Sequence, residues 1–290
     1  MHFAIHYTTE YIYDAPITDN LNALRVRPAT TATQRVDEFH VRIDPETRLG
    51  RHADYFGTEV IEFGISRPHS ALTIDVRARV VTSEPPEPTE PDWDEIASAA
   101  YLEAAGEFLL PSIPEPAASA LEEFNNLAQA ASPLGAALQL CEHIPDRFAY
   151  RRGITYVGST VADLLDIGAG VCQDFVHLGL IVLRHAGIAA RYVSGYLFAA
   201  PSDGGDDSIE VDTHAWLEVL LPDSRGRGEP VWVGLDPTNR ARAGERYVKI
   251  GHGRHYDDVP PIKGVYRGGP SHLHASVVMT RLDPASAARA

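Results

Sequence analysis

Cys172 is one of only two cysteines in 290 residues, and it stands where a helix should begin. Gly168-Ala169-Gly170-Val171 precedes it, and Val176–Ala186 follows, apolar on nearly every side as a buried helix is. A thiol attacks only as thiolate, and a helix N-terminus supplies free N–H groups and partial positive charge that favour the anion. The two glycines would let the chain turn tightly and let a substrate carbonyl come close. The Cys172 N–H could give one oxyanion-hole hydrogen bond. Taken alone, a cysteine among apolar neighbours is core packing, so chemistry requires partners for the thiol.

Those partners lie in a hairpin. His214, Trp216 and Glu218 share one face of a strand, and Trp232, Gly234 and Asp236 share one face of the next. If His214 faces Asp236, then Trp216 faces Gly234 and Glu218 faces Trp232, with opposing Cβ atoms about 4.5–5.5 Å apart. An Asp carboxylate at that distance reaches an imidazole nitrogen, and Gly234 leaves room for a Trp216 indole that shields the ring from water. A slip of two residues would break this pairing without changing faces. Separately, His214 is a strand histidine and Asp236-Pro237-Thr238 a strand-ending turn. With Cys172 they supply the nucleophile, base and orienter of cysteine acyl transfer.

The surrounding chain divides in four. Residues 1–83 alternate in period two (Phe3, Ile5, Tyr7; Phe39, Val41, Ile43; Leu72, Ile74, Val76, Ala78, Val80), which predicts an antiparallel β-sandwich-like domain. Residues 84–92 are a Pro/Glu-rich linker that cannot feed a ladder. Residues 93–250 hold Ala-rich helices at about 94–109, 117–131 and 133–144, then the segment carrying Cys172, His214 and Asp236. Within it, Thr160 and Asp163 form a capping box that predicts a helix over 161–167. Arg191–Phe198, His214–Leu221 and Val231–Asp236 read as strands. The fold class is therefore α+β, with a tail over 251–290 that can return one strand.

Composition narrows the partners. Hydrophobic residues at 44% and charged residues at 22% describe an ordinary globular chain. No apolar run approaches the roughly 18–20 residues that span a bilayer. A net charge of −15 leaves no basic stripe for phosphates, so neither membrane nor nucleic acid is an expected partner. The first residues carry no secretory signal pattern, and two cysteines suit a reducing compartment, so the expected location is cytoplasmic.

Four segments together resemble the core of the bacterial transglutaminase-like superfamily. They are Gly170-Val171-Cys172-Gln173-Asp174-Phe175, Arg191-Tyr192-Val193-Ser194-Gly195-Tyr196-Leu197, His214-Ala215-Trp216-Leu217-Glu218-Val219 and Trp232-Val233-Gly234-Leu235-Asp236-Pro237-Thr238-Asn239. Asp54-Tyr55-Phe56-Gly57-Thr58 resembles part of the β domain that precedes that core, and Gly253–Pro261 a loop that follows it. Two positions depart from the pattern: His255 stands where an acidic residue is expected, and Thr213 stands where Ser usually precedes the histidine. The resemblance implies a papain-like transglutaminase core with helices packed on an antiparallel sheet. It also implies Cys172 as nucleophile, His214 as base and acid, and Asp236 as orienter.

Other residues are weighed beside these. Tyr150, Gln173 and Trp216 are oxyanion or pocket candidates, Tyr150 against the plainer reading of a buried structural tyrosine. The acidic run Pro201–Asp212 is a solvated loop or a lid favouring cationic substrates. His252, His255, His272 and His274 have suggestive spacings but complete no recognisable metal pattern, so neither metal nor cofactor is expected. Cys141 falls on an amphipathic helix as core packing, or as a redox partner for Cys172. The expected activity is hydrolysis of a peptide or related amide through a thioester on Cys172. Protein-glutamine crosslinking and a non-catalytic scaffold are the alternatives. An arylamine acetyltransferase shares the Cys, His, Asp order but not the flanking motifs.

Overall fold

The computed structural model describes residues 1–111, 114–199, 207–223 and 229–283. The strand His2–Leu24 organises the first half. Up to Tyr13 it pairs with His69–Thr82 on one side and with Ser271–Arg281 on the other. Beyond a register break between Ile12 and Ile17, its second half pairs with Glu59–Ile65 and Ile262–Arg267. One long strand thus serves two stretches of ladder, and the eight-stranded antiparallel sheet curls around it. Phe3, Ile5, Phe63, Ile74 and Val80 share a single core as a result. The period-two pattern has its physical cause here, since alternate side chains enter that core.

The tail strand Ser271–Arg281 returns to this sheet, pairing from Phe3↔Arg281 to Tyr13↔Ser271. Ser208–Val211, at the end of the acidic run, adds to the edge of the same sheet. The run's first part, Pro201–Asp206, lies outside the described residues.

A second, five-stranded antiparallel sheet has the order Ala241–Arg242, Val231–Asp236, Thr213–Leu221, Ala190–Leu197, Tyr247–Gly253. Helix Cys172–His185 packs on it so closely that a Cβ at Gly179 would come 2.7 Å from Leu217. Tyr196, Phe198, Val248 and Ile250 bury into the core of the first sheet, so the two sheets share apolar contact. The architecture is α+β, with helices and a curled antiparallel sheet packed about the central strands. Among the described residues no helix is long and apolar enough to cross a membrane.

Three helical expectations are refined. The stretch near 94–109 is two helices, Trp93–Ile96 and Ala99–Leu109, because Ser98 starts the second by accepting from the Tyr101 N–H. Ala118–Gln129 is a 3-10 helix. Its buried residues Leu121, Phe124 and Leu127 recur every third position, which lines up on one face only at three residues per turn. Pro133–Arg147 runs to Arg147 with Pro133 in its first turn and Ser132 capping the Gly135 N–H at 3.0 Å.

Candidate active site

Cys172 is the first residue of its helix. The helix starts there because Asp174 turns its carboxylate back onto the Val171 N–H at 2.8 Å and is held by the Thr155 hydroxyl at 2.7 Å. Asp174 is buried, and burial raises its carboxyl against the pull of those two hydrogen bonds. The preceding helix Val161–Ile167 has both halves of the Thr160/Asp163 capping box and ends at Gly168 in the left-handed region, φ 71°. Gly170 does not make room for a substrate as expected. A Cβ there would sit 2.8 Å from Asp174 Oδ2 and 2.9 Å from Leu164, so this glycine accommodates the helix start.

His214 Nε2 lies 2.7 Å from Asp236 Oδ2. The assumed register is corrected: Leu217 pairs with Leu235, Glu218 with Gly234 and Val219 with Val233, two residues from the expected alignment. The faces survive the shift because strand side chains alternate with period two. Cys172 also acts on the imidazole, favouring its charged form. With Asp236 on Nε2, Nδ1 is the ring nitrogen left to meet the thiol. Burial would lower the His214 pKa, but the hydrogen bonds and charges of Asp236 and Cys172 outweigh it and raise it to about 9.

Asp236 is fully buried and heavily hydrogen-bonded. Its Oδ1 accepts from the Thr238 N–H at 2.8 Å and the Asn239 N–H at 3.2 Å, and its Oδ2 from Asn239 Nδ2 at 2.7 Å and the Tyr247 hydroxyl at 2.9 Å. Burial pushes its carboxyl up, and these donors with His214 more than reverse that, leaving it below the usual carboxylate value. Tyr247 and Asn239 were given no role from the sequence. For Asn239 the signal was legible, because Asp-Pro-Thr-Asn suits a turn that folds onto its own first side chain. Tyr247 is eleven residues beyond Asp236 and carries no local signal.

Trp216 forms the wall beside His214, with ring centroids 6.3 Å apart and planes 27° from parallel. It is 2% exposed and lies between two glycines. A Cβ at Gly234 would be 3.5 Å from its Nε1, and one at Gly195 would overlap the Val248 carbonyl and come 2.7 Å from the indole. Tyr150 is not buried but 47% exposed, and it packs edge-on against Phe175 at 6.2 Å. Partial burial and then Cys172 raise its hydroxyl pKa, against the pull of Arg152. Gln173 directs its amide to the Val157 carbonyl at 3.4 Å.

The remaining candidates disperse. Cys141 is 3% exposed in the helical core, and burial raises its thiol strongly. His252 packs on Phe56, His255 begins a short 3-10 turn, and His272 and His274 lie on the tail strand. Among the described residues no group of three or more His, Cys, Asp or Glu could hold a metal ion.

Residues 3–81 match the bacterial transglutaminase-like N-terminal region, and residues 124–237 match the transglutaminase-like superfamily. An uncharacterized protein of Mycobacterium leprae is 35% identical over 280 residues, covering 95% of this chain and 97% of that one. The chain belongs to the bacterial transglutaminase-like family. A more distant relative is a protein-glutamine gamma-glutamyltransferase of Pseudomonas aeruginosa, 32% identical over 152 residues, 49% of this chain and 22% of that protein. A solved structure from Cytophaga hutchinsonii, proposed to be a cysteine protease, matches with a TM-score of 0.74 at 21% identity. It covers 98% of this chain and 92% of that one, so this transglutaminase-like protein shares its fold over nearly the whole length.

Proposed function

We propose that this transglutaminase-like protein is a cysteine-dependent amide hydrolase, a peptidase or amidase, working through a thioester on Cys172. The observation that carries this reading is the buried His214–Asp236 pair at 2.7 Å, with Cys172 at a helix N-terminus acting on the same imidazole. At about 9 the His214 pKa keeps the imidazole charged at neutral pH, so the Sγ proton already rests on the ring when sulfur attacks the amide carbonyl as thiolate. The oxyanion so formed is met by the Cys172 N–H, a first-turn donor with no partner inside the helix, and by a second donor, a role we assign to the Tyr150 hydroxyl. His214 returns the proton to the departing amine, the C–N bond breaks and a thioester remains. Water, deprotonated by the same imidazole, attacks the thioester to release the acid and restore the thiol. Asp236 holds the ring in one orientation and stabilises its charged form.

A second reading is favoured by the Pseudomonas relative: a primary amine in place of water would give transamidation of a glutamine side chain. The intermediate is the same, and what reaches the thioester first decides the product.

The test is iodoacetamide alkylation of Cys172 followed by mass spectrometry in wild type and His214→Ala, with peptide amides then offered with and without a fluorescent primary amine. Alkylation at neutral pH should slow by at least about tenfold without the imidazole. Free acid products support hydrolysis, and amine incorporation supports transamidation. Equal alkylation in both proteins refutes the activated thiol.

A further inference from the structure

Arg27, Arg51, Arg191 and Lys249 line one cavity of about 710 Å³ between the first sheet and the second. They fall into two sets, each with two cations on one carboxylate. On one wall Arg51 donates to Glu59 at 2.9 Å and Arg27 lies 3.6 Å from the same carboxylate. On the other, Arg191 reaches Glu218 at 2.6 Å and Lys249 reaches it at 2.7 Å. Each set therefore keeps one positive charge unmatched within itself. Glu59 is the sole acidic residue among the described ones lining the cavity.

This concentration of cations runs against a chain of net charge −15. The second set is well removed from water, with Arg191, Lys249 and Glu218 side chains 12%, 11% and 13% exposed. Its field registers on His252 in the same wall, whose imidazole is pushed down to about 3 by burial and then by Lys249 and Arg191. Desolvated like charges repel, and an anion entering between them would relieve both the repulsion and the lost hydration.

We propose that this cavity binds a small dianion between Arg27 and Arg51 on one wall and Arg191 and Lys249 on the other. The planar guanidinium fork suits carboxylate and phosphate oxygens equally, so the shared chemistry is two negative charges on one compact molecule. The volume lies in the range of small-molecule sites. The site is separate from the thiol: Glu218 is four residues from His214 along their strand, about 13 Å at the strand rise, with Trp216 between them.

Calorimetric titration of the full chain with succinate and with glycerol 3-phosphate tests this, with glycerol as the neutral control and sodium chloride matching ionic strength. At least one dianion should bind saturably and glycerol should not, and the tighter of the two assigns carboxylate or phosphate. The Arg27→Ala, Arg51→Ala double variant should weaken binding by at least about tenfold, and Arg51→Gln alone by about threefold. Arg51 is partly exposed, so the single variant keeps the test valid where the double variant does not fold. No saturable binding of either dianion at millimolar concentration, or equal binding by the folded variants, overturns the proposal. Because Cys172 takes no part, neither result depends on the reactivity of the thiol.

Discussion

Asp236 meets His214 on the diagonal of a β-ladder, not across it. Glu218 stands opposite Gly234 and Leu217 opposite Leu235, so the imidazole bridges two positions along the strands to make its 2.7 Å contact. Diagonal neighbours on one face are about 7–8 Å apart at Cα, within reach of a ring and a carboxylate. Trp216 is held between Gly195 and Gly234 beside this pair, and Tyr247 reaches Asp236 from the strand beyond Ala190–Leu197.

The pairing makes stability depend on pH. In an unfolded chain His214 titrates near 6.5 and in the folded one at about 9, so the native state holds the proton more tightly. The stabilisation is fully present below pH 6.5 and is lost as pH climbs through 9. Urea unfolding of wild type should weaken by on the order of 1–3 kcal/mol more than that of His214→Ala across this window. Parallel pH profiles for the two proteins would contradict the assigned shift.

Asp236→Asn keeps the size of the side chain and removes its charge. The His214 pKa should fall by about one unit or more, as followed by NMR titration of its ring protons. An unchanged midpoint would mean that another group sets the imidazole charge.

Gly195→Ala places a methyl group against the Val248 carbonyl and the Trp216 indole. Backbone cannot yield as a flexible side chain does, so the expected loss is about 1–3 kcal/mol in chemical denaturation, with the His214 environment disturbed through Trp216. A neutral substitution would show that the strands separate easily at this point.

Glu218→Ala strands two buried cations. The Glu218 carboxyl is held down to about 2, with burial opposed and overcome by Lys249 and Arg191. Its removal should cost about 3–5 kcal/mol, measured by denaturant titration, because Arg191 and Lys249 then share a desolvated site without their carboxylate. A loss below about 1 kcal/mol would place the cluster in solvent.

The position of Cys172 at a helix start, the helix over Val161–Ile167 and the common face of His214, Trp216 and Glu218 were legible because each depends on local rules: capping chemistry and period-two alternation. Register was not legible, since two alignments two residues apart expose identical faces and only packing against Gly195 and Ala190–Leu197 selects between them. Tyr247, the donor to Asp236, was hidden because it approaches through sheet order. The cavity at Arg27 and Lys249 was hidden for the same reason, its cations being more than two hundred residues apart in sequence. Sequence alone carried the family resemblance and placed Cys172 at a helix start with His214 and Asp236 on neighbouring strands. Tertiary structure decided which diagonal joins them and where the charges of two sheets converge, because such contacts depend on long-range pairing that no local periodicity encodes.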